Sequence, residues 1–493
     1  MNRRDFIKTT SLGAAALALP IGEQTRPART PNIIYILADD LGMGEVGCYG
    51  QKKIRTPNID RIAAEGMRFT AHYSGSPVCA PARCTLLTGL HTGHAYIRDN
   101  DEMGSRGDVW HDLSLEGQRP LEAGTTTIGT MLQAAGYKTA AIGKWGLGGP
   151  GSTGEPNRMG FDHFYGYLCQ RIAHNHYPSY LWRNREKVPL ANEYVYPHEK
   201  LPAGADPNDV TSYARYIGKQ FAADLMAEES LAFIKANRAQ PFFLYLAFTI
   251  PHAALQVPED SLAEYLGTFP ETPYFGAAGY LPHRAPRAAY AAMVTRMDKH
   301  IGRVMSLLKE LELDDDTIVM FASDNGPTFN GGTDSAFFES AAGLRGLKQD
   351  VYEGGIRVPF VARWPGHVPK GQTSAHPSAF WDLMPTFAEL AGAKAPVNTD
   401  GVSLVPSLLG KPAQQKSRDS LYWEFEGRQA VRMKQWKAVR LKNAAATELF
   451  DLSVDPGERT NVALAHAEIV ARAEQIFVNG RTESALFPLG RKV

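Results

Sequence analysis

The sequence predicts an α/β chain, with a large doubly wound, mostly parallel sheet flanked by helices and then a small C-terminal antiparallel sheet with a helix. Three observations lead there. Several apolar runs lack the alternation of a half-solvated strand, which suits strands covered on both faces of a parallel sheet. Stretches of helical period lie between them, as in repeated βαβ units. Polar residues follow the runs at their carboxyl ends, where open α/β sheets bind ligands.

The first run, 31–38, leads into Asp39-Asp40. The run 137–142 leads into Gly143-Lys144, 241–248 into Pro251-His252, and 317–322 into Asp324-Asn325. Helices are expected over 127–135 and 221–236. The clearest is 289–311, where Met293, Met297, Ile301, Val304 and Leu308 recur every three or four residues with Arg and Lys interleaved. The character changes after about Gly392. Residues 393–409 are rich in Pro, Gly and Ala and read as a linker. Short strand-like pieces at 421–425, 429–433 and 436–441 suggest an antiparallel meander, and 465–478 a closing helix. The expected division is a leader over 1–30, a main domain over 31–395 and a C-terminal α+β subdomain over 396–493.

Lys plus Arg and Asp plus Glu are 52 each, a balance that argues against a nucleic-acid partner. Arg3 and Arg4 precede Phe6-Ile7-Lys8 and the small apolar run from Leu12 to Leu19, which resembles a twin-arginine export signal. That implies the twin-arginine export machinery as a partner, cleavage before Pro31, and a periplasmic or secreted location. The run is far short of the ~20 residues that span a bilayer, and no later stretch qualifies, so no stable membrane span is expected. Four cysteines, Cys48, Cys79, Cys84 and Cys169, are too few for a disulfide framework, and their spacing fits no zinc site.

Asp39-Asp40 or Asp324-Asn325 alone would read as a turn or a helix cap. Two such pairs at matching strand ends are a stronger signal, because converging carboxylates repel unless a cation neutralises them. Oxygen donors suit a hard ion, calcium or magnesium. Between the pairs, Pro81 suits a first helical turn, which sets Cys79 at a helix N-terminus where anions are favoured. On the residues alone, Cys79 is either an activated thiol or a buried structural cysteine.

Cys79-Ala80-Pro81-Ala82-Arg83, followed by Leu86-Leu87-Thr88-Gly89, resembles the signature of the formylglycine-dependent (type I) sulfatases, arylsulfatase-like members of the alkaline phosphatase superfamily. The likeness extends to Asn32–Gly42, Gly143-Lys144-Trp145, Ile250-Pro251-His252, Ser323-Asp324-Asn325-Gly326, Lys348, Tyr352–Pro359 and Leu449–Leu452. It implies hydrolysis of sulfate esters, of a sulfated carbohydrate or another alcohol, by formylglycine made from Cys79 by a formylglycine-generating or sulfatase-maturing enzyme. Asp39, Asp40, Asp324, Asn325 and modified Cys79 would hold calcium, or magnesium. Arg83 would orient residue 79, Lys144 and Lys348 would bind sulfate, and His252 would serve the departing alcohol. One departure is Gly146, where many members have a histidine proposed to take a proton during sulfate release. His174, in the tract His174-Asn175-His176-Tyr177, is the expected substitute and an additional substrate-binding residue. His91 and His94 read equally as cleft residues or structural histidines. The alternatives are phosphate or phosphonate ester hydrolysis on the same fold, and a non-catalytic glycan-binding relative.

Overall fold

The computed structural model describes residues 30–101, 116–442 and 446–490, so the twin-arginine-type segment lies outside the described residues except for residue 30. In the first half of the chain the strands are β1 (Asn32–Ala38), β2 (Met67–Phe69), β3 (His72–Tyr73), β4 (Lys138–Lys144), β5 (His163–Tyr167), β6 (Tyr180–Arg183), β7 (Glu186–Pro189) and β8 (Phe242–Ala247). The second half adds β9 (Thr317–Ser323), β10 (Phe360–Arg363), β11 (Gln372–Ser374), β12 (Ser378–Ala379), β13 (Leu421–Phe425), β14 (Arg428–Met433), β15 (Trp436–Arg440) and β16 (Glu448–Asp451).

The main sheet has ten strands in the order β11-β2-β10-β9-β1-β8-β4-β5-β6-β7. The four strands expected from sequence, β1, β4, β8 and β9, lie at its centre and are joined in parallel pairs with β5. Antiparallel pairing appears only toward the rims, at β2, β10, β6 and β7. The central runs are unbroken apolar stretches because each face meets its own core. Ile34, Ile36 and Ala38 of β1 pack with residues of helices Pro57–Ala64, Ala222–Asn237 and Pro286–Glu310. Ile33, Tyr35 and Leu37 face helices Cys79–Thr88, Ile128–Ala134 and Leu383–Leu390. Burying such side chains contributes about 1.5–3 kcal/mol each relative to leaving them exposed.

The C-terminal meander β13–β16 is antiparallel throughout. Helix Ala467–Asn479 covers one face through Ala473 and Phe477. The other face sets Trp423, Phe425, Val439 and Phe450 against Tyr73, Val78, Val351, Ile356 and Trp381 of the main body. Trp423 Nε1 donates to the Ser74 carbonyl at 2.8 Å, so the small sheet braces the loop that leads to Cys79. The stretch 393–409 differs from the expected linker. Leu404 and Leu408 are buried in the main core, and the Val402 and Leu404 N–H groups donate to Asp382 and Thr386. Its Pro and Gly content marks tight turns here rather than free chain.

Candidate active site

Strand register brings the two acidic pairs together. β1 and β9 are parallel with Ala38 opposite Ser323, so Asp39-Asp40 and Asp324-Asn325 leave the sheet side by side. The Asp40 N–H donates to Asp324 Oδ1 at 3.0 Å, and Asn325 Nδ2 donates to Asp40 Oδ1 at 2.8 Å. Asp40 has φ +67, a left-handed conformation uncommon outside glycine, which turns the chain out of the strand at this point. On the other side of β1, β4 lies one strand beyond β8 and ends in Lys144, whose Nζ reaches Asp39 Oδ2 at 2.7 Å.

Cys79 opens helix Cys79–Thr88, with Val78 as the extended residue before it. Its Sγ lies 3.3 Å from Asp39 Oδ1 and 3.9 Å from Asp40 Oδ1. One turn on, Arg83 donates to Asp324 Oδ2 through Nε at 3.2 Å and Nη2 at 2.8 Å, and to the Lys144 carbonyl through Nη1 at 2.6 Å. Lys348 Nζ donates to Asp40 Oδ2 at 2.7 Å, and His252 Nε2 lies 3.6 Å from the same oxygen. His174 stacks on His252 with ring centroids 4.9 Å apart and planes at 20°. All ten predicted site residues therefore converge, together with His174's neighbours His198 and Tyr280, which sequence patterns did not single out.

The cluster is buried, and its charges act on one another strongly. Burial raises the Asp39 carboxyl, but Lys144, His252, Arg83 and Lys348 outweigh it and hold the group well below its usual range. Burial and the neighbouring Asp39 push Asp324 up. Burial, then Asp39, pushes the Cys79 thiol up, which makes the unmodified side chain a poor nucleophile. Burial and Lys348 bring His252 down to about 3. Asn325 Oδ1 is buried without a hydrogen-bond partner. An orphaned amide oxygen beside three carboxylates is a donor set suited to a hard cation.

The chain matches the family described as Sulfatase over residues 31–393, and that described as N-sulphoglucosamine sulphohydrolase, C-terminal, over 347–479. The protein belongs to the sulfatase family. It is similar to an N-acetylgalactosamine-6-sulfatase of Canis lupus familiaris, with 30% identity over 98% of this chain and 84% of the relative. It is also similar to human Arylsulfatase A, with 33% identity over 94% of this chain and 90% of the relative. A solved structure described as Ps i-CgsB in complex with k-i-k-neocarrahexaose superposes with a TM-score of 0.73 at 28% identity, over 92% of this chain and 94% of that one. The sulfatase is thus a sulfuric ester hydrolase of the alkaline phosphatase superfamily.

In this sulfatase the space over Gly146 is taken. Gly146 has φ +75, and a Cβ there would sit 2.8 Å from Gln170 Cγ. Gln170 Nε2 donates to Asn100 Oδ1, which also accepts the Ala80 N–H beside Cys79. Gln170 Oε1 is buried without a partner. A single glutamine beside a loop carries no periodic or motif signal, so sequence reading passed over it. His91 and His94 fall on the structural side of their two readings. Asp400 accepts from the His91 N–H and bonds His94 Nδ1, and His91 Nδ1 accepts the Gly93 N–H. Trp182 Nε1 is bonded to Glu116, and Arg183 pairs with Glu229.

Proposed function

We propose that this sulfatase hydrolyses a sulfate ester of a sulfated carbohydrate, releasing inorganic sulfate, with residue 79 as formylglycine and calcium as the bound ion. The observation that carries the reading is Cys79 Sγ at a helix N-terminus, 3.3 Å from Asp39, inside a ring closed by Arg83, Lys144, Lys348 and His252. Hydrated formylglycine supplies a hydroxyl nucleophile and a second hydroxyl for sulfate expulsion, and the ion supplies positive charge beside them.

The chain's own residues do the rest. Asp39, Asp40, Asp324, the orphaned Asn325 Oδ1 and modified Cys79 would hold the ion, magnesium being the other hard cation that suits them. Arg83 fixes Asp324 and, through the Lys144 carbonyl, ties the nucleophile helix to β4. Lys144 and Lys348 carry their charge to the sulfate oxygens and offset negative charge as it develops. His252 stands beside Lys348 and Asp40 to serve the oxygen of the departing alcohol. Folding excludes bulk water from all of them, which strengthens each interaction.

The similarity to an N-acetylgalactosamine-6-sulfatase and to a structure in complex with k-i-k-neocarrahexaose supports a sugar substrate. Among the described residues no helix is long and apolar enough to cross a membrane. The Arg3-Arg4 leader supports export to the periplasm or beyond, by the twin-arginine machinery, after a maturing enzyme has converted Cys79.

The test is twofold. Peptide mass spectrometry of the Cys79 segment from a modification-competent host should show the aldehyde in place of the thiol. A screen of position-defined sulfated saccharides should release free sulfate, with turnover abolished by a calcium chelator and restored by calcium. A thiol retained at residue 79 with no sulfate released would exclude the reading. Faster release from matched phosphate esters would shift it to the phosphate hydrolases.

A further inference from the structure

The side chain of Gln170 is wedged between the two elements that carry the nucleophile and its lysine. Gln170 follows β5 and is 6% exposed. On one side lies Gly146, two residues past Lys144, where a Cβ would sit 2.8 Å from Gln170 Cγ and 3.4 Å from Gln170 Oε1. On the other side Gln170 Nε2 donates to Asn100 Oδ1 at 3.2 Å. The same oxygen accepts the Ala80 N–H at 2.9 Å, the amide joined to Cys79. The Gln170 backbone N–H donates to Gln118 Oε1 at 3.2 Å, so the residue is held at both ends.

The orientation of the carboxamide follows from these bonds. A backbone N–H only donates, so the Asn100 atom facing Ala80 is its oxygen, and only the NH₂ of Gln170 can face that oxygen in turn. Gln170 Oε1 is thereby directed away from Asn100, and among the described residues no donor reaches it. A buried acceptor without a donor is costly, and folded proteins keep few of them. The unmodified Cys79 has a single S–H to give, and its Sγ lies 3.3 Å from Asp39 Oδ1. A formylglycine hydrate in the same place has two O–H groups, and the free aldehyde has none.

We infer that Gln170 is a positioning residue whose Oε1 accepts a hydrogen bond from the second hydroxyl of hydrated formylglycine at residue 79, and so holds that residue as its hydrate. This rests on the formylglycine reading of Cys79 proposed above. Hydration adds water across the aldehyde C=O: an O–H joins the carbon, and the remaining hydrogen goes to the carbonyl oxygen. Only the hydrate brings the donor that Gln170 Oε1 lacks, so the unfilled acceptor draws the equilibrium toward it. A carboxamide oxygen takes no proton in this range of pH, so Gln170 orients the hydroxyl and leaves its deprotonation to another group. The space over Gly146 is thus served by an orienting acceptor, where the sequence led to an expectation of a proton acceptor in His174.

The test uses the full chain, converted and loaded with calcium, with carbon-13 at the cysteine Cβ and the residue 79 signals assigned by their loss in Cys79→Ala. Gln170→Met keeps the volume and removes both polar atoms. It should lower the ratio of hydrate to aldehyde about fivefold, the scale of one hydrogen bond. It should lower kcat by a similar factor with a small aryl sulfate and with a sulfated saccharide alike, because the contact is to residue 79 and not to the sugar. The variant should also lower the melting temperature of the converted chain more than that of the thiol chain, whereas a purely structural role lowers both equally. A crystal structure of the converted native chain needs no variant, and should place a hydroxyl oxygen of residue 79 within hydrogen-bond distance of Gln170 Oε1. An unchanged ratio in Gln170→Met, a kcat loss confined to the saccharide, equal melting losses in the two forms, or a water alone at Gln170 Oε1 overturns the inference and leaves the proposed function standing. A thiol retained at residue 79 in protein from a modification-competent host, which the same carbon-13 spectrum reports, overturns the proposed function and the inference with it.

Discussion

Lys348 and Lys144 illustrate how little freedom the site's residues have. Each ammonium is buried and lies 2.7 Å from one carboxylate oxygen, Lys348 on Asp40 and Lys144 on Asp39. Lys348→Ala should lower kcat about 10²–10³-fold with sulfate esters, as when a preorganised charge is removed from a developing anion. Position 146 makes a different prediction. Replacing Gly146 with His puts a side chain at φ +75 and drives its Cβ into Gln170. The single variant should lose turnover and at least about 1–2 kcal/mol of stability, the cost of a non-glycine left-handed residue. Adding Gln170→Ala should recover part of the loss in a thermal melt, because the clash is then relieved and only the backbone cost remains.

At the scale of elements, the central strands were legible because both faces of each are covered, which removes any polar alternation from β1, β4, β8 and β9. The rim strands were not. β2, β10 and β11 have only three or four residues, too few for a pattern, and their pairing is set by neighbours distant in sequence. The same logic divides the site. Cys79, Arg83, the aspartates, the lysines and His252 could be read because strand ends and a helix start advertise them. Gln170, His198 and Tyr280 act through close packing that a single sequence does not display. Helix pairing carries a pH prediction. Asp224, at the start of helix Ala222–Asn237, bonds Arg296 and His300 of helix Pro286–Glu310. Burial raises its carboxyl, but these bonds outweigh burial and bring it down to about 2, from an ordinary 3.8. A depressed acid stabilises the fold in its ionised form. That contribution is complete above about pH 4 and disappears as the pH falls toward 2, where acid titration of Asp224→Asn should show a smaller drop than the native chain.

Across the whole molecule, the C-terminal sheet is joined to the main body by charge as well as by aromatic packing. Lys437 of β15 is fully buried, 2.9 Å from Glu353 and 3.5 Å from Glu458. Lys437→Met leaves two carboxylates without their partner and should cost about 3–5 kcal/mol in urea unfolding. Converting Glu353 and Glu458 to Gln in the same chain should return most of that loss. Because Glu353 belongs to the segment that follows Lys348, the join also holds Lys348 in register.

The sealing of residue 79 sets an order of events in the life of the chain. The residue is 1% exposed, and the loop that leads to it is pinned by Trp423 from a sheet that is synthesised more than three hundred residues later. On the proposed conversion of Cys79, docking of those last strands would close the sulfur to a protein-sized catalyst, and folding would act as a deadline for that chemistry. Purified, folded thiol-form protein should stay unconverted when mixed with a maturing enzyme, whereas the same chain offered during synthesis or after unfolding should be converted. On that proposal, a cell that made this protein faster than it could process it would accumulate well-folded molecules without their nucleophile.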